Sequence, residues 1–334
     1  MRDQGPSRPA LGIRESGGRK TLIETQAERA ETITPDTLGR IRKFSAFASE
    51  QSERINARLK RGEPLDDIIY DTFMTEGGVQ YSESDPAFKE LKRKYREDIL
   101  REFKRWGEAA LQYQGDPEAP LAMTRSGFEK NKGRPMDTWE LPDDWVYFKL
   151  HGGMRRDERI GRFQLNVRPE MSAYVFSRVL QELGVRKVPA DIKTTVGDSA
   201  DELGRLEKTT IYVNAAQAQE TTDVLRKVYA ENSIAFNNER APFSKPVHAA
   251  DGGEAKGIWF VEDPSYAEQV LGGGQVKEIK ISANKVRAKI LADLLKEHRE
   301  RDYSAPEYVN AFARLCRKYQ VDPREPAFNI KATS

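Results

Sequence analysis

Six side chains between residues 149 and 245 have the types and spacing to act on an anion: Lys149, His151, Arg162, Lys193, Arg205 and Lys245. In WVYFKLH (145–151) the apolar residues Val146, Phe148 and Leu150 alternate with Lys149 and His151. A strand has period two, so Lys149 and His151 share one face. In GRFQLNV (161–167), Arg162, Gln164 and Asn166 alternate with Phe163, Leu165 and Val167 in the same way. Paired as a hairpin with both apolar sets on the core, the two strands would gather Lys149, His151, Arg162, Gln164 and Asn166 on one polar face. Such a face suits phosphate chemistry. Arginine presents a planar fork to oxyanions, histidine donates a proton near neutral pH, and a lysine next to other cations loses its proton more readily. Together these groups would hold a phosphate and move a proton, with no metal or organic cofactor required.

The elements that must position these residues follow in order. Thr34-Pro35 reads as an N-cap with a first-turn proline. It opens a long amphipathic helix marked by Leu38, Ile41, Phe44, Phe47, Ile55 and Leu59. Pro64 opens a shorter helix. Asp85-Pro86 opens a third, with Phe88, Leu91, Tyr95, Ile99, Phe103 and Trp106 on one stripe. Residues 114–142 are rich in proline and glycine and read as a linker or long loop. After the expected hairpin, a helix beginning near Pro169 buries Phe176, Val179, Leu180 and Leu183 and stops at Gly184. Strands follow at 190–195, with Lys193, and 209–214, then a helix with Val224, Leu225 and Val228 inward. Residues 232–256 read as irregular, 257–261 as a short strand, and two C-terminal helices follow, the second opened by the capping box at 304–307. Helices, then strands mixed with helices, then helices again predict an α+β fold: a helical N-terminal region followed by a mixed, mainly antiparallel sheet with packed helices. The domain division is 1–33 disordered, 34–113 helical, 114–142 linker and 143–334 α+β.

Bulk composition narrows the functions. A net charge of only +2 argues against bulk nucleic-acid binding, although local clusters can still hold anions. No stretch approaches a membrane span, and the N-terminus lacks the apolar core of a secretory signal. A single cysteine, Cys316, excludes an internal disulfide framework and a multi-cysteine zinc site, and the three histidines show no metal-binding spacing. The run Lys92, Arg93, Lys94, Arg96 leads into Glu97 and Asp98, the mixed charge of a solvated helix face. Arg155, Arg156 and Arg159, with Asp157 and Glu158 among them, read as a solvated turn. Gly272–Gly274 lacks the GK[ST] of a phosphate loop and reads as a flexible loop. Arg205, two residues from Glu207, fits either a surface ion pair or the site.

Several pieces in order, YFKLH, GRFQLNVRPEMSAYVFSRVL, PADIK, GRLEKTTIYVN, APFSKPV and LCRKYQVDPREPAFN, resemble the HopA (HopPsyA) family of type III secretion effectors. The resemblance implies secretion into a host cell, cytoplasmic residence before export, and an N-terminal region that engages a secretion chaperone. The domain is also similar to the phosphothreonine lyases of the OspF and SpvC kind and to the lyase component of lanthipeptide synthetases. That similarity implies β-elimination from phosphoserine or phosphothreonine, a reaction that needs a base for the α proton, an acid and fixed cations for the phosphate. In the phosphothreonine lyases a first-strand histidine is the general acid, which implies His151 here. Their catalytic lysine opens the second strand, where this chain has Arg162. Arginine does not give up its proton, so Lys149 takes the base role. The implied site is then catalytic Lys149 and His151 with phosphate held by Arg162, Lys193, Arg205 and Lys245. The implied partner is a phosphorylated host protein or peptide. Binding without turnover and peptide modification of the lanthipeptide type are the alternatives.

Overall fold

The computed structural model describes residues 33–75, 81–113, 116, 118–143, 145–155, 158–241, 243–263, 267–271, 275–279, 282–297 and 306–329. The readings made for 1–32, for the Gly272–Gly274 loop and for the start of the last capping box lie outside these residues. The fold is α+β. Helices α1 (Pro35–Glu50), α2 (Ser52–Lys60), α3 (Leu65–Thr75) and α4 (Pro86–Leu111) come first. They are followed by β1 (Leu121–Met123), α5 (Arg125–Asn131), β2 (Trp145–Leu150), β3 (Ile160–Leu165), α6 (Pro169–Val185) and β4 (Ala190–Thr195). Next come α7 (Ala200–Gly204), β5 (Thr209–Asn214), α8 (Ala218–Glu231), β6 (Lys245–His248) and β7 (Glu254–Glu262). A separate hairpin, β8 (Ala267–Leu271) and β9 (Gln275–Ile279), leads to α9 (Ala283–Glu297) and α10 (Pro306–Lys318).

Local sequence sets the helix starts. Thr34 accepts a hydrogen bond from the Thr37 amide and Asp85 from the Ala87 amide, each with proline in the first turn, as the sequence predicts. The expected long first helix is instead two, broken at Gln51. The stretch 114–142, expected as a linker, supplies β1 and α5: Leu121, Ala122 and Met123 pair with Leu150, Lys149 and Phe148. The expected irregular stretch 232–256 holds β6 and the start of β7.

The sheet has seven strands in the order β1-β2-β4-β5-β3-β7-β6, with every neighbouring pair antiparallel. The expected β2–β3 hairpin therefore does not form: β4 and β5 lie between the two strands. The connection explains why. Hairpin loops run to two to five residues or so, whereas the chain from His151 to Arg159 crosses the end of the sheet. The Met154 amide donates to Asp191 Oδ1 on β4 at 3.1 Å. The Arg155 amide donates to Asn214 Oδ1 on β5 at 2.7 Å, and Asn214 donates back to the Arg155 carbonyl at 2.6 Å. Each intervening strand thus holds the link as it passes.

One sheet face carries Phe148, Ile192, Ile211 and Phe163 in register and packs on α4, α6 and α8. A second core joins the first three helices to the last two through Ile41, Phe44, Ile68, Leu291, Leu294 and Phe312. The N-terminal helices are thus shared between two cores, with α4 on the sheet and α1–α3 on α9 and α10. No helix among the described residues is long and apolar enough to cross a membrane. Gly257 is a tight point: its φ is +67, and a Cβ there would run into the Asn237 and Asn166 carbonyls. Gly257→Ala is expected to cost about 3 kcal/mol or more, read as a fall in the denaturant midpoint, because rigid backbone must move. Wild-type stability in this variant would contradict that geometry.

Candidate functional site

The second sheet face carries two rows of polar and aromatic side chains. One row runs Tyr147, Lys193, Thr210, Gln164 and Trp259. The next runs Lys149, Asp191, Tyr212 and Arg162. The β3–β7 end of this face is covered. Gln164 is fully buried, accepts from the Trp259 indole at 2.7 Å and from Asn284 of α9 at 3.1 Å. Tyr70 of α3 reaches the same place: its hydroxyl donates to Glu207 at 2.9 Å and accepts from Arg205 at 3.1 Å.

Three of the expected cations meet here around two aromatic rings. Lys193 Nζ lies 3.9 Å from the centroid of Trp145 and 5.7 Å from that of Tyr212. The Arg162 guanidinium stacks on Tyr212 at 4.7 Å, and that of Arg205 lies 5.7 Å from Trp145. Arg162 is ion-paired with Asp263, and Arg205 with Glu207 at 3.0 Å. Lys193 differs from both. Among the described residues no carboxylate and no hydrogen-bond acceptor reaches its ammonium, which contacts only ring faces. Burial lowers its pKa to about 8, opposed by the charge of Glu207 and helped by those of Arg162 and Arg205. Roughly a tenth of it is then unprotonated at pH 7. Burial beside Glu207 holds the Tyr70 hydroxyl well above its usual range, and burial raises Tyr212 to about 12. Both therefore remain protonated donors at neutral pH. The Arg205 Nε is buried without a hydrogen-bond partner, a donor left over on the wall of the cluster.

The other expected residues stand apart. Lys149 is exposed on the same face but at its β2 margin, three strand spacings or roughly 14 Å from Arg162, with Asp191 and Tyr212 between them. His151 does not continue the alternation of β2. Its φ is +48, followed by Gly152 at +80 and Gly153 at +77. The turn sends the imidazole to the helix-covered side, where Nε2 lies 3.1 Å from the Gly184 carbonyl near the end of α6. The expected sharing of one face by His151 and Lys149 is corrected accordingly. Lys245 pairs with Phe260 in register and so lies on the helix side as well, its Nζ 5.0 Å from the Phe328 centroid in a separate groove of about 1020 Å³. Trp145, Tyr212, Tyr70 and Asp263 were not expected in the site. The first two were legible as face partners of Lys193 and Arg162 once β4 and β5 were placed. Tyr70 and Asp263 come from elements whose approach no local pattern announces.

A further expected result follows for the histidine. His151→Ala should leave any chemistry at the Lys193 cluster unchanged and lower stability by about 1 kcal/mol, one lost hydrogen bond. Loss of turnover at unchanged melting temperature would return His151 to the site.

Fold and site together define an α+β domain: a seven-stranded antiparallel sheet with helices on both sides and a cation–aromatic cluster on one face. The HopA1 effector protein family matches residues 140–328, more than half of the chain. The chain belongs to that family and is a type III effector. Among solved structures, the effector protein from Pseudomonas syringae pv. tomato strain DC3000 is similar in fold, with a TM-score of 0.55 and 14% identity over 89% of this chain and 100% of that one. The effector protein from Pseudomonas syringae pv. syringae strain 61 gives 0.53 and 13%, over 89% of this chain and 98% of that one. No curated protein sequence matches the chain.

Proposed function

We propose that this effector is exported into the host cytoplasm, where the polar sheet face binds a phosphorylated serine or threonine of a host protein and Lys193 removes its α proton. Export would use the N-terminal region, with a secretion chaperone as the partner there. The observation that carries the reading is the Lys193 ammonium: half-buried against Trp145, with no carboxylate in hydrogen-bonding reach among the described residues, and flanked by Arg162 and Arg205. A lysine with its pKa brought close to neutrality is matched to proton abstraction. In the step, the Lys193 lone pair takes the Cα proton and the C–H electrons form the Cα=Cβ bond. The Cβ–O bond then breaks, and inorganic phosphate departs carrying that pair. Lys193 afterwards returns its proton to water. The guanidinium forks of Arg162 and Arg205 hold the phosphate and offset the charge that develops as it leaves.

This assignment moves the base from Lys149 to Lys193 and gives His151 no part. The test is mass spectrometry of a phosphothreonine peptide after incubation with the full chain. Loss of phosphoric acid, leaving a dehydro residue, is the expected result. A hydroxyl restored in place of phosphate would mean hydrolysis and would overturn the reading. Saturable binding with no change in mass would favour recognition without turnover. That second reading rests on one observation: the cluster has no imidazole to act as acid, its tyrosines being held protonated by burial.

A further inference from the structure

A second cavity, of about 750 Å³, lies between α1 and residues 238–240, with Leu206 in its wall. Two arginines face into it from opposite sides. Arg40 of α1 donates through Nε to Asp36 at 2.8 Å, yet its second terminal nitrogen is buried without a hydrogen-bond partner. Arg240 is held by Glu254 at 2.9 Å and by the Ser244 carbonyl at 2.8 Å. Even so, its pKa is lowered, first by burial and then by the charge of Arg40. Asp36, Glu239 and Glu254 match Arg40, Lys43 and Arg240 in number, so the lining carries no net charge, but the two guanidinium groups still repel each other and Arg40 keeps one unsatisfied donor. Lys43 stands at the rim, exposed and with no ion pair among the described residues. Gly39 leaves the α1 side open, since a Cβ there would meet nothing within 4 Å. Phe44, Phe47 and Leu206 give the apolar part of the wall, with Thr72 and Asn238 also in the lining.

We propose that this cavity binds a small organic phosphate, its oxyanion gripped by Arg40 and Arg240 and its apolar part against Phe47 and Leu206. Two guanidinium groups that repel each other are stabilised together by one anion placed between them, and a planar fork on each matches phosphate oxygens. The volume exceeds what inorganic phosphate fills and falls in the usual range of small-ligand sites. The site is distinct from the Lys193 cluster, so the two readings stand or fall separately.

The test is calorimetry on the full chain with phenyl phosphate and with inorganic phosphate, at ionic strength held constant with chloride. Phenyl phosphate is expected to bind this cavity more tightly than inorganic phosphate, in addition to any anion held on the sheet face. Arg240→Gln should weaken it about tenfold or more, the loss of one charged hydrogen-bonding group. Gly39→Met, which fills the open side without touching a charge, should do the same while keeping the melting temperature. It decides the matter if Arg240→Gln folds poorly. Absence of saturable binding would overturn the inference. So would binding that survives Gly39→Met and Arg240→Gln but is lost in Arg162→Gln, which would assign the anion to the sheet face. Equal affinity for the two anions would leave inorganic phosphate as the ligand and remove the organic one.

Discussion

Lys193→Met is expected to abolish phosphate elimination and, at the same time, to make the protein more stable at neutral pH. The rate loss should be about 10²–10⁴-fold, the usual worth of a positioned general base. The stability gain has a definite sign. Lys193 has its pKa lowered from 10.5 to about 8 in the folded chain, chiefly by burial. Below about 8 it is protonated in both states, and the folded state bears the cost of a half-buried ammonium with no ion pair among the described residues. Between about 8 and 10.5 the unfolded chain binds the extra proton, so wild-type stability rises with pH through that window. The shift corresponds to up to about 3 kcal/mol, reduced by the lost contact of the ammonium with Trp145. Lys193→Met should therefore melt higher than wild type at pH 7, and the gap should close towards pH 10.5. Lys193→Arg keeps the charge but has no proton to give up, so it should bind phosphopeptide without turning it over. In the wild type, turnover should increase with pH and level off above about 8. Turnover retained by Lys193→Met would remove that residue as the base. A gap in melting temperature independent of pH would remove the electrostatic account of its burial.

The largest expected loss of stability belongs to Glu207→Ala. Glu207 is 6% exposed and accepts from Tyr70 at 2.9 Å, Arg205 at 3.0 Å, Asn284 at 2.9 Å and the Gln164 amide. Its carboxylate thus joins α3, the β5 approach, α9 and β3. Removing it strands one charge and three donors inside the protein. Breaking a buried pair in this way costs about 3–5 kcal/mol. Glu207→Gln, which keeps an acceptor oxygen and the shape, should lose less. Chemical denaturation of the two variants side by side checks the order. An Ala variant as stable as the Gln variant would mean that the network is surface-like and that the ion-pair reading of Arg205 and Glu207 suffices. If the network holds as drawn, Tyr70 and Arg205 lose their anchor together. Phosphopeptide affinity should then drop in Glu207→Ala even at temperatures where the chain remains folded.

Local patterns made the helix starts legible, because caps and first-turn prolines act within four residues. The alternation of β2 and β3 was legible for the same reason, and it separated the apolar face from the polar one. The pairing of the strands was not. Lys149 and Arg162 looked like neighbours because their strands are consecutive, but the long link from His151 to Arg159 lets β4 and β5 enter between them. Lys193, read only as one more cation, takes the central place because β4 lies inside that gap. His151 misled through the same alternation that worked elsewhere. A strand rule ends where the backbone turns left-handed, and nothing in FKLHGG fixes the residue at which that happens.

From sequence alone come the helix starts, strands β2 to β5, the α+β class, the polar strand faces and the family kinship, all of which depend on short-range periodicity or on ordered motifs. Tertiary structure alone decides the order of the sheet, the side on which the imidazole falls, and which cations lie together on Trp145 and Tyr212. Those outcomes depend on contacts between residues far apart in the chain, where burial, charge and the route of a connecting segment compete, and no window of sequence contains all the competitors.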